Sequence, residues 1–322
     1  MKSWDREDRD HVQLIDEFVR LSATLAGLPA DQAELVKREL HRYMSVQLAH
    51  RKWIPPSVVR FHTEWYREFY RTLGVRDPYR EIKAQSNRSA AAILGEVAIP
   101  GLREAANAAI IANRLDFGVG SLLANPISIG AADFGGLASL PLWADDFETL
   151  HARLRAARSV LLLADNNGEI LFDRVLVEAI RRLNPGAAVA VAGKESPMLN
   201  DVTADELESL GFGAVAAIVS TGTNSFGVPD DEVSDAFRRS LRGADVVIAK
   251  GQAQLEFWLQ FDTANVFHLV HTKFEIVDPV LGRIPAGANL VLASSRYAAG
   301  KAAYPGLARS GATTPAAPES RP

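Results

Sequence analysis

The sequence predicts an α/β fold, in which an all-helical N-terminal domain precedes a three-layer α/β/α domain with a mostly parallel, doubly wound sheet. Up to about residue 150, apolar residues recur mainly at helical spacing. From about residue 158, short apolar runs alternate with amphipathic helical stretches, which is typical of a parallel sheet covered by helices on both faces. Val160–Ala164 is the clearest strand, because it is continuously apolar and a helical pattern begins soon after it at Ile170.

The order of these patterns predicts two domains and a tail. We expect the helical domain at 1–155 and the α/β domain at 156–304. Small residues and prolines dominate 305–322, so we expect a disordered tail there. The helices predicted in the first domain are 10–26, 31–49, an aromatic helix through Trp65 and Phe69, Ser89–Leu94, Leu102–Ile111 and Asp145–Ala156.

Strands and helices alternate in the second domain. In a doubly wound sheet, the loops that follow the strands converge on one edge and form the ligand site. The predicted strands are Val160–Ala164, Ala188–Ala192, Ala214–Val219, Val246–Ala249, Val266–Val270 and Leu290–Ala293. The predicted helices are Ile170–Leu183, Ala204–Leu210, Asp230–Leu241 and Gln254–Trp258.

Composition excludes several classes of function. A net charge of −4 gives no electrostatic case for binding nucleic acid or an anionic membrane. The chain has no cysteine, which excludes disulfides, thiolate metal sites and cysteine nucleophiles. The first residues are too charged for a signal peptide, and no apolar run reaches the roughly 18 residues that span a bilayer. We therefore expect a cytoplasmic protein; the sequence does not indicate its oligomeric state.

Polar side chains follow the first strand where it ends. Asp165 and Asn166 come directly after Val160–Ala164, and Glu169 opens the next helix. Burying a carboxylate costs free energy unless a cation or hydrogen-bond donors interact with it. Oxygen ligands of this kind suit Mg²⁺, Mn²⁺ or Ca²⁺. The alternative is that Asp165 or Asn166 only caps the helix.

Three further strand ends carry polar groups. Asp201 follows the second strand, Ser220–Asn224 the third and Lys250 the fourth. Asp165, Asn166 and Asp201 could together hold one divalent ion, while Lys250 and the hydroxyls of the third loop suit a phosphate. Each residue also has a structural alternative, since Asp201 could cap a helix, Lys250 could be solvated, and the third loop could be an ordinary turn. The phosphate-binding, dinucleotide-binding and hydrolase glycine motifs are absent, which disfavours those classes.

The ordered motifs resemble one known family, the damage-control phosphatases, also named for an acidic-residue methyltransferase-like metal-binding domain. Asp165-Asn166-Asn167-Gly168-Glu169 resembles the family's Asp-Asn-Ala-Gly-Glu signature, and Asn200-Asp201-Val202-Thr203 its second motif. The other matching segments are Lys250-Gly251-Gln252 with Glu256, Asp77-Pro78-Tyr79 with Lys83 and Asn87, Asn113-Arg114-Leu115-Asp116-Phe117-Gly118, and Lys273 after a late strand.

The chain departs from the family pattern at several positions. Asn167 replaces an alanine, and we expect this change to leave the chemistry unaffected. Ala253 and Gln254 replace a glycine and an asparagine, which bears on the detailed contact with phosphate or substrate. Ala112 replaces a glycine, and Phe274 replaces a frequent cysteine.

The resemblance implies a metal-dependent phosphatase that acts on small phosphorylated metabolites, such as damaged metabolites or sugar phosphates. It implies Asp165, Asn166 and Asp201 as ligands of Mn²⁺, Co²⁺, Ni²⁺ or Mg²⁺, with Lys250 binding phosphate. Two alternatives remain, namely an S-adenosylmethionine-dependent carboxyl methyltransferase and a non-catalytic metabolite-binding protein. The residues expected to bind substrate are Glu169, Asn113, Asp116, Ser220, Gly251 and Lys273.

Overall fold

The computed structural model describes residues 57–115, 129–298 and 301–303, together with scattered positions between 27 and 42. The predicted helix at 10–26, Asp116 and the predicted tail at 305–322 lie outside the described residues. Most of the predicted helix at 31–49 does so too, although its described positions 34–39 are helical.

Helices occupy both halves of the described chain. Three of them precede the main sheet, and the others alternate with its strands. The helices are α1 (Ser57–Leu73), α2 (Arg80–Leu94), α3 (Leu102–Ala112), α4 (Phe147–Ala156), α5 (Glu169–Leu183), α6 (Ala204–Ser209), α7 (Asp235–Gly243) and α8 (Gln252–Trp258).

The main sheet of the described residues has seven strands in the order β1-β10-β7-β5-β2-β3-β4. Two short pairs, β6 with β11 and β8 with β9, lie outside it. The strands are β1 (Ala144–Asp145), β2 (Ser159–Leu163), β3 (Ala188–Gly193), β4 (Ala217–Ser220), β5 (Val246–Lys250), β6 (Phe261–Asp262), β7 (Val266–His271), β8 (Ile276–Asp278), β9 (Gly282–Ile284), β10 (Asn289–Ala293) and β11 (Ala302–Ala303).

The predicted fold class is confirmed. Strands β2, β3, β4, β5 and β7 run parallel to one another, whereas β10 is antiparallel to β7. The chain winds from β2 towards β3 and β4 on one side, and β5 and β7 lie on the other. The loops after β2 and β5 therefore separate at a topological switch point, where open sheets of this kind bind ligands.

Side chains of β2 alternate between two hydrophobic cores, as expected for a strand covered on both faces. Val160 and Leu162 pack in the core that contains α3 and α5, and Leu161 and Leu163 pack in the core of α7 and α8. The predicted three layers follow from this arrangement. Because α3 shares a core with the sheet, residues from both sides of the predicted boundary at 155/156 pack together; that boundary stays a prediction.

Three predicted element boundaries moved by three residues or more. Helix α2 begins at Arg80, well before the predicted Ser89. The predicted strand Ala214–Val219 begins later, at Ala217, because a 3₁₀ turn occupies Phe212–Ala214. Helix α7 begins at Asp235 and not at the predicted Asp230, because the Ser234 hydroxyl accepts a hydrogen bond from the Phe237 amide at 3.1 Å. In the part of the chain that the structure describes, no helix combines the length and apolar character that a membrane crossing requires.

Candidate functional site

The turn after β2 carries the first predicted site residues. Gly168 precedes α5 with a φ of 86°, and no side chain caps this helix. The interpretation of Asp165 or Asn166 as a helix cap is therefore wrong. A Cβ on Gly168 would lie 3.0 Å from Cβ of Ser86, so only glycine lets α2 approach this turn so closely.

The loop after β3 meets this turn directly. Asn166 and Asp201 form an isolated antiparallel β-bridge. The Val202 amide donates to the Asp165 carbonyl at 2.8 Å. Asp201 caps no helix, since Thr203 caps α6 through the Glu206 amide at 3.2 Å. The structure thus brings Asp165, Asn166 and Asp201 together, from two loops.

Two side-chain amides donate hydrogen bonds to the Asp165 carboxyl group. Its Oδ2 accepts hydrogen bonds from Asn113 Nδ2 at 2.9 Å and from Asn166 Nδ2 at 2.7 Å. Burial raises the pKa of Asp165 well above its ordinary value, and the charges of Glu169 and Asp201 raise it further. No described residue forms an ion pair with Asp165, so the side-chain amides of Asn113 and Asn166 hold this group in place.

Lys250 lies completely buried beneath the turn. Its ammonium forms ion pairs with Glu169 and with Asp173, whose Oδ1 lies 2.8 Å from Nζ. It also donates to the Ala109 carbonyl of α3 at 3.2 Å. Burial opposes its charge, yet the two carboxylates raise the pKa of Lys250 above its ordinary value. The interpretation as a solvated lysine is wrong, while the predicted contact with phosphate stays a prediction.

The remaining predicted residues lie at different distances from this centre. Gly251 touches Asp165. The next residue, Gln252, accepts a hydrogen bond at its side-chain Oε1 from the backbone amide of Lys273 at 2.8 Å. Burial lowers the pKa of the Lys273 ammonium to about 7. Ser220 ends β4, two strands and therefore about 10 Å from β2, and its hydroxyl donates to Glu195. The structure does not bring Ser220 to Asp165.

Two charged residues at the site, Lys194 and Asp173, were not predicted from the sequence. Lys194 Nζ lies 3.5 Å from Asp201 Oδ2 and donates to the Ser225 carbonyl. Burial raises the pKa of Asp201, and Lys194 opposes that rise. Lys194 follows the end of the second predicted strand, and Asp173 interrupts the apolar face of α5. Both positions could have indicated a site residue from the sequence.

The donor set suits a hard divalent cation. Two carboxyl groups and an amide converge here, and such groups are the oxygen ligands that Mg²⁺ and Mn²⁺ prefer. Asn113 Oδ1 is buried nearby and has no hydrogen-bond partner among the described residues. No group of three or more His, Cys, Asp or Glu side chains suited to a metal occurs in the described ranges, so the amide of Asn166 would have to complete the set.

Comparison with known proteins gives the family of this chain. Residues 12–284 match the damage-control phosphatase ARMT1-like domain. The chain belongs to this family. It is 34% identical over 224 residues to a damage-control phosphatase from Pyrococcus horikoshii, covering 69% of this chain and 76% of that protein.

Two further comparisons agree with this family. A damage-control phosphatase from Archaeoglobus fulgidus is 28% identical over 268 residues, covering 80% of this chain and 90% of that protein. The crystal structure of a DUF89 family protein from Pyrococcus horikoshii superposes with a TM-score of 0.74 at 26% identity. That match covers 88% of this chain and 97% of the other. The resemblance inferred from the motifs is therefore confirmed.

Proposed function

We propose that this damage-control phosphatase family member is a metal-dependent phosphomonoester hydrolase that acts on small phosphorylated metabolites, including sugar phosphates, in metabolite repair. One observation carries the proposal. The carboxylate of Asp165, which has no cationic partner among the described residues, is joined through Asn166 to Asp201 at the switch point of the sheet. The family supports the reaction class, and the site supports the need for a cation.

Asp165, Asn166 and Asp201 would hold Mn²⁺, Co²⁺, Ni²⁺ or Mg²⁺. The cation would supply positive charge to a phosphoryl group and activate a nucleophile. Asn113 orients Asp165 and Glu169 together, because its amide donates to both carboxylates, at 2.9 Å and 2.6 Å.

Lys250 and Lys273 have different proposed roles. Lys250 offsets part of the charge of Glu169 and Asp173 from below, and it would thereby reduce the repulsion between these carboxylates and a bound phosphate. The lowered pKa of Lys273 would let this side chain exchange a proton near neutral pH. We keep Glu169, Asn113, Asp116, Ser220, Gly251 and Lys273 as the proposed substrate contacts.

Asp165→Asn tests the proposal, with hydrolysis of p-nitrophenyl phosphate and a panel of sugar phosphates measured against the four cations. We expect a loss of more than about 100-fold, because a ligand carboxylate is removed. Asp245→Asn is the matched control. Asp245 accepts hydrogen bonds from the backbone amides of Arg158 and Ser159 at the start of β2, which is the end of the strand opposite to the site, and its loss should leave turnover unchanged. Parental rates in the Asp165→Asn variant would reject the assignment.

The same protein separates the alternatives. A carboxyl methyltransferase would bind S-adenosylmethionine, which calorimetry detects directly. A non-catalytic binding protein would bind cation or phosphate and turn over no substrate in the panel.

A further inference from the structure

The side chain of Asn167 is buried at the junction of three segments, with 1% of its surface exposed. Its Oδ1 accepts a hydrogen bond from Asn87 Nδ2 of α2 at 3.0 Å. Its Nδ2 donates to the Asn200 carbonyl at 3.2 Å and to Glu206 Oε2 of α6 at 3.1 Å. One amide therefore uses its oxygen and its nitrogen to join α2, the loop after β3 and α6.

The backbone repeats the same connections. The Asn167 amide donates to the Asn200 carbonyl at 2.9 Å, and the Gly168 amide donates to Asn87 Oδ1 at 2.6 Å. Asn87 and Asn167 thus form a pair of interlocked amides, in which each side chain also binds backbone. Asn167 is buried and Asn87 is half-buried, so removing Asn87 leaves Oδ1 of Asn167 without its donor in a place shielded from water.

This amide pair lies next to the proposed cation ligands on both loops. Asn167 directly follows Asn166 and binds Asn200, which directly precedes Asp201. The hydrogen bonds of Asn167 therefore fix the separation between the two halves of the donor set. Two other groups hold α6 in place, since Glu206 also accepts from the Thr203 amide at 2.9 Å and from Lys83 Nζ at 3.3 Å.

Against the expectation from the sequence that this residue leaves the chemistry unaffected, we propose that Asn167 is a positioning residue, whose side-chain amide sets the spacing of the Asp165–Asn166 and Asp201 loops and thereby the affinity of the site for its cation. Only the part of the inference that concerns cation affinity rests on the proposed function, because the spacing of the loops exists with or without a cation. Partners that orient ligands are worth about 10- to 100-fold in metal affinity.

The variant Asn167→Ala removes the amide, and Asn184→Ala is its matched control. Asn184 Nδ2 also binds backbone carbonyls, those of Leu154 at 2.9 Å and Ala157 at 2.8 Å. It lies at the other end of the 15-residue helix α5, about 22 Å from the site. Both variants lose hydrogen bonds from a side-chain amide to backbone carbonyls, but only Asn167→Ala loosens the two loops.

Two measurements on the metal-free full-length chain decide the proposal. The first is hydrogen exchange of the amides of Asn167 and Val202, which bridge the loops. We expect Asn167→Ala to accelerate their exchange at least tenfold and Asn184→Ala to leave it unchanged. The second is titration with Mn²⁺ by calorimetry, in which Asn167→Ala should weaken binding at least tenfold, and Asn184→Ala less than twofold.

Specific results of these two measurements would overturn the proposal for Asn167. Unchanged exchange of both amides in Asn167→Ala overturns the proposal, as does a parental Mn²⁺ affinity in that variant. If the parent protein binds none of the four cations and hydrolyses nothing, the proposed function fails, and hydrogen exchange still decides the part of Asn167. Asn87→Ala, which removes the partner on α2, is the second variant should Asn167→Ala not fold, and it should accelerate exchange of the same amides.

Discussion

Gly251 lies against the carboxylate of Asp165, so that a Cβ at position 251 would stand 2.1 Å from Asp165 Oδ2. The two residues follow β2 and β5, the neighbouring strands at the switch point. The loops after these two strands therefore approach each other closely, and backbone from the second loop covers one side of Asp165.

Gly251→Ala should displace Asp165 and also strain the backbone, because φ at Gly251 is 81°. We expect a loss of activity beyond the strain cost of about 1–2 kcal/mol in unfolding free energy. Gly282→Ala is the control, since Gly282 has a φ of 76° with no atom within 4 Å of an added Cβ. Urea unfolding and phosphatase rates of both variants separate strain from contact; equal activity in the two would contradict the role of the contact.

Lys250→Met should destabilise the protein by about 3–5 kcal/mol, because it leaves Glu169 and Asp173 buried without their cation. Lys301→Met serves for comparison. Lys301 pairs with Asp278 at 3.0 Å in a more exposed position, so we expect a smaller loss there. Chemical denaturation of both variants at pH 8 measures the difference, and equal losses would show that the buried cluster has no special cost.

Asp173 predicts a pH dependence of stability. Burial raises the pKa of Asp173 from the ordinary 3.8 to about 7, against the opposing effect of Lys250. The folded protein therefore keeps this proton where the unfolded chain releases it, and the resulting stability is fully present below about pH 4 and lost as the pH rises to about 7. Asp173→Asn lacks this titration. The unfolding free energy of the parent relative to this variant should fall with rising pH between 4 and 7, by at most about 1.4 kcal/mol per pH unit; a flat difference would contradict the raised pKa.

Tyr70 supports the loop that carries Asp201. Leu199 has a φ of 48°, which is uncommon for a residue with a branched side chain, and its amide donates to the Tyr70 hydroxyl at 2.8 Å. Tyr70→Phe should cost about 1–2 kcal/mol and weaken Mn²⁺ binding, because the turn before Asp201 loses its anchor. Tyr297→Phe, which removes a hydrogen bond to His268 away from the site, should cost stability alone. Calorimetric titration of both variants distinguishes the two effects.

Sequence patterns predicted much of the fold because a buried parallel strand has to be continuously apolar. Val160–Ala164 shows this, since the observed strand Ser159–Leu163 is shifted by a single residue. The same patterns did not predict the antiparallel direction of β10, because an apolar run is equally apolar in both directions. The short strands β1, β6, β8, β9 and β11 have two or three residues each, too few to form a pattern.

By itself, the sequence determined which residues follow the strands, and therefore that Asp165, Asn166 and Asp201 would meet at one edge of the sheet. Only the tertiary structure decided which charges meet one another. Lys250 is held by Ala109 of α3 and by Glu169 and Asp173 of α5, segments far apart in the chain. The reason is physical: the positions of strands along the chain follow from local hydrophobicity, whereas the partners of a buried charge depend on how distant helices pack over it.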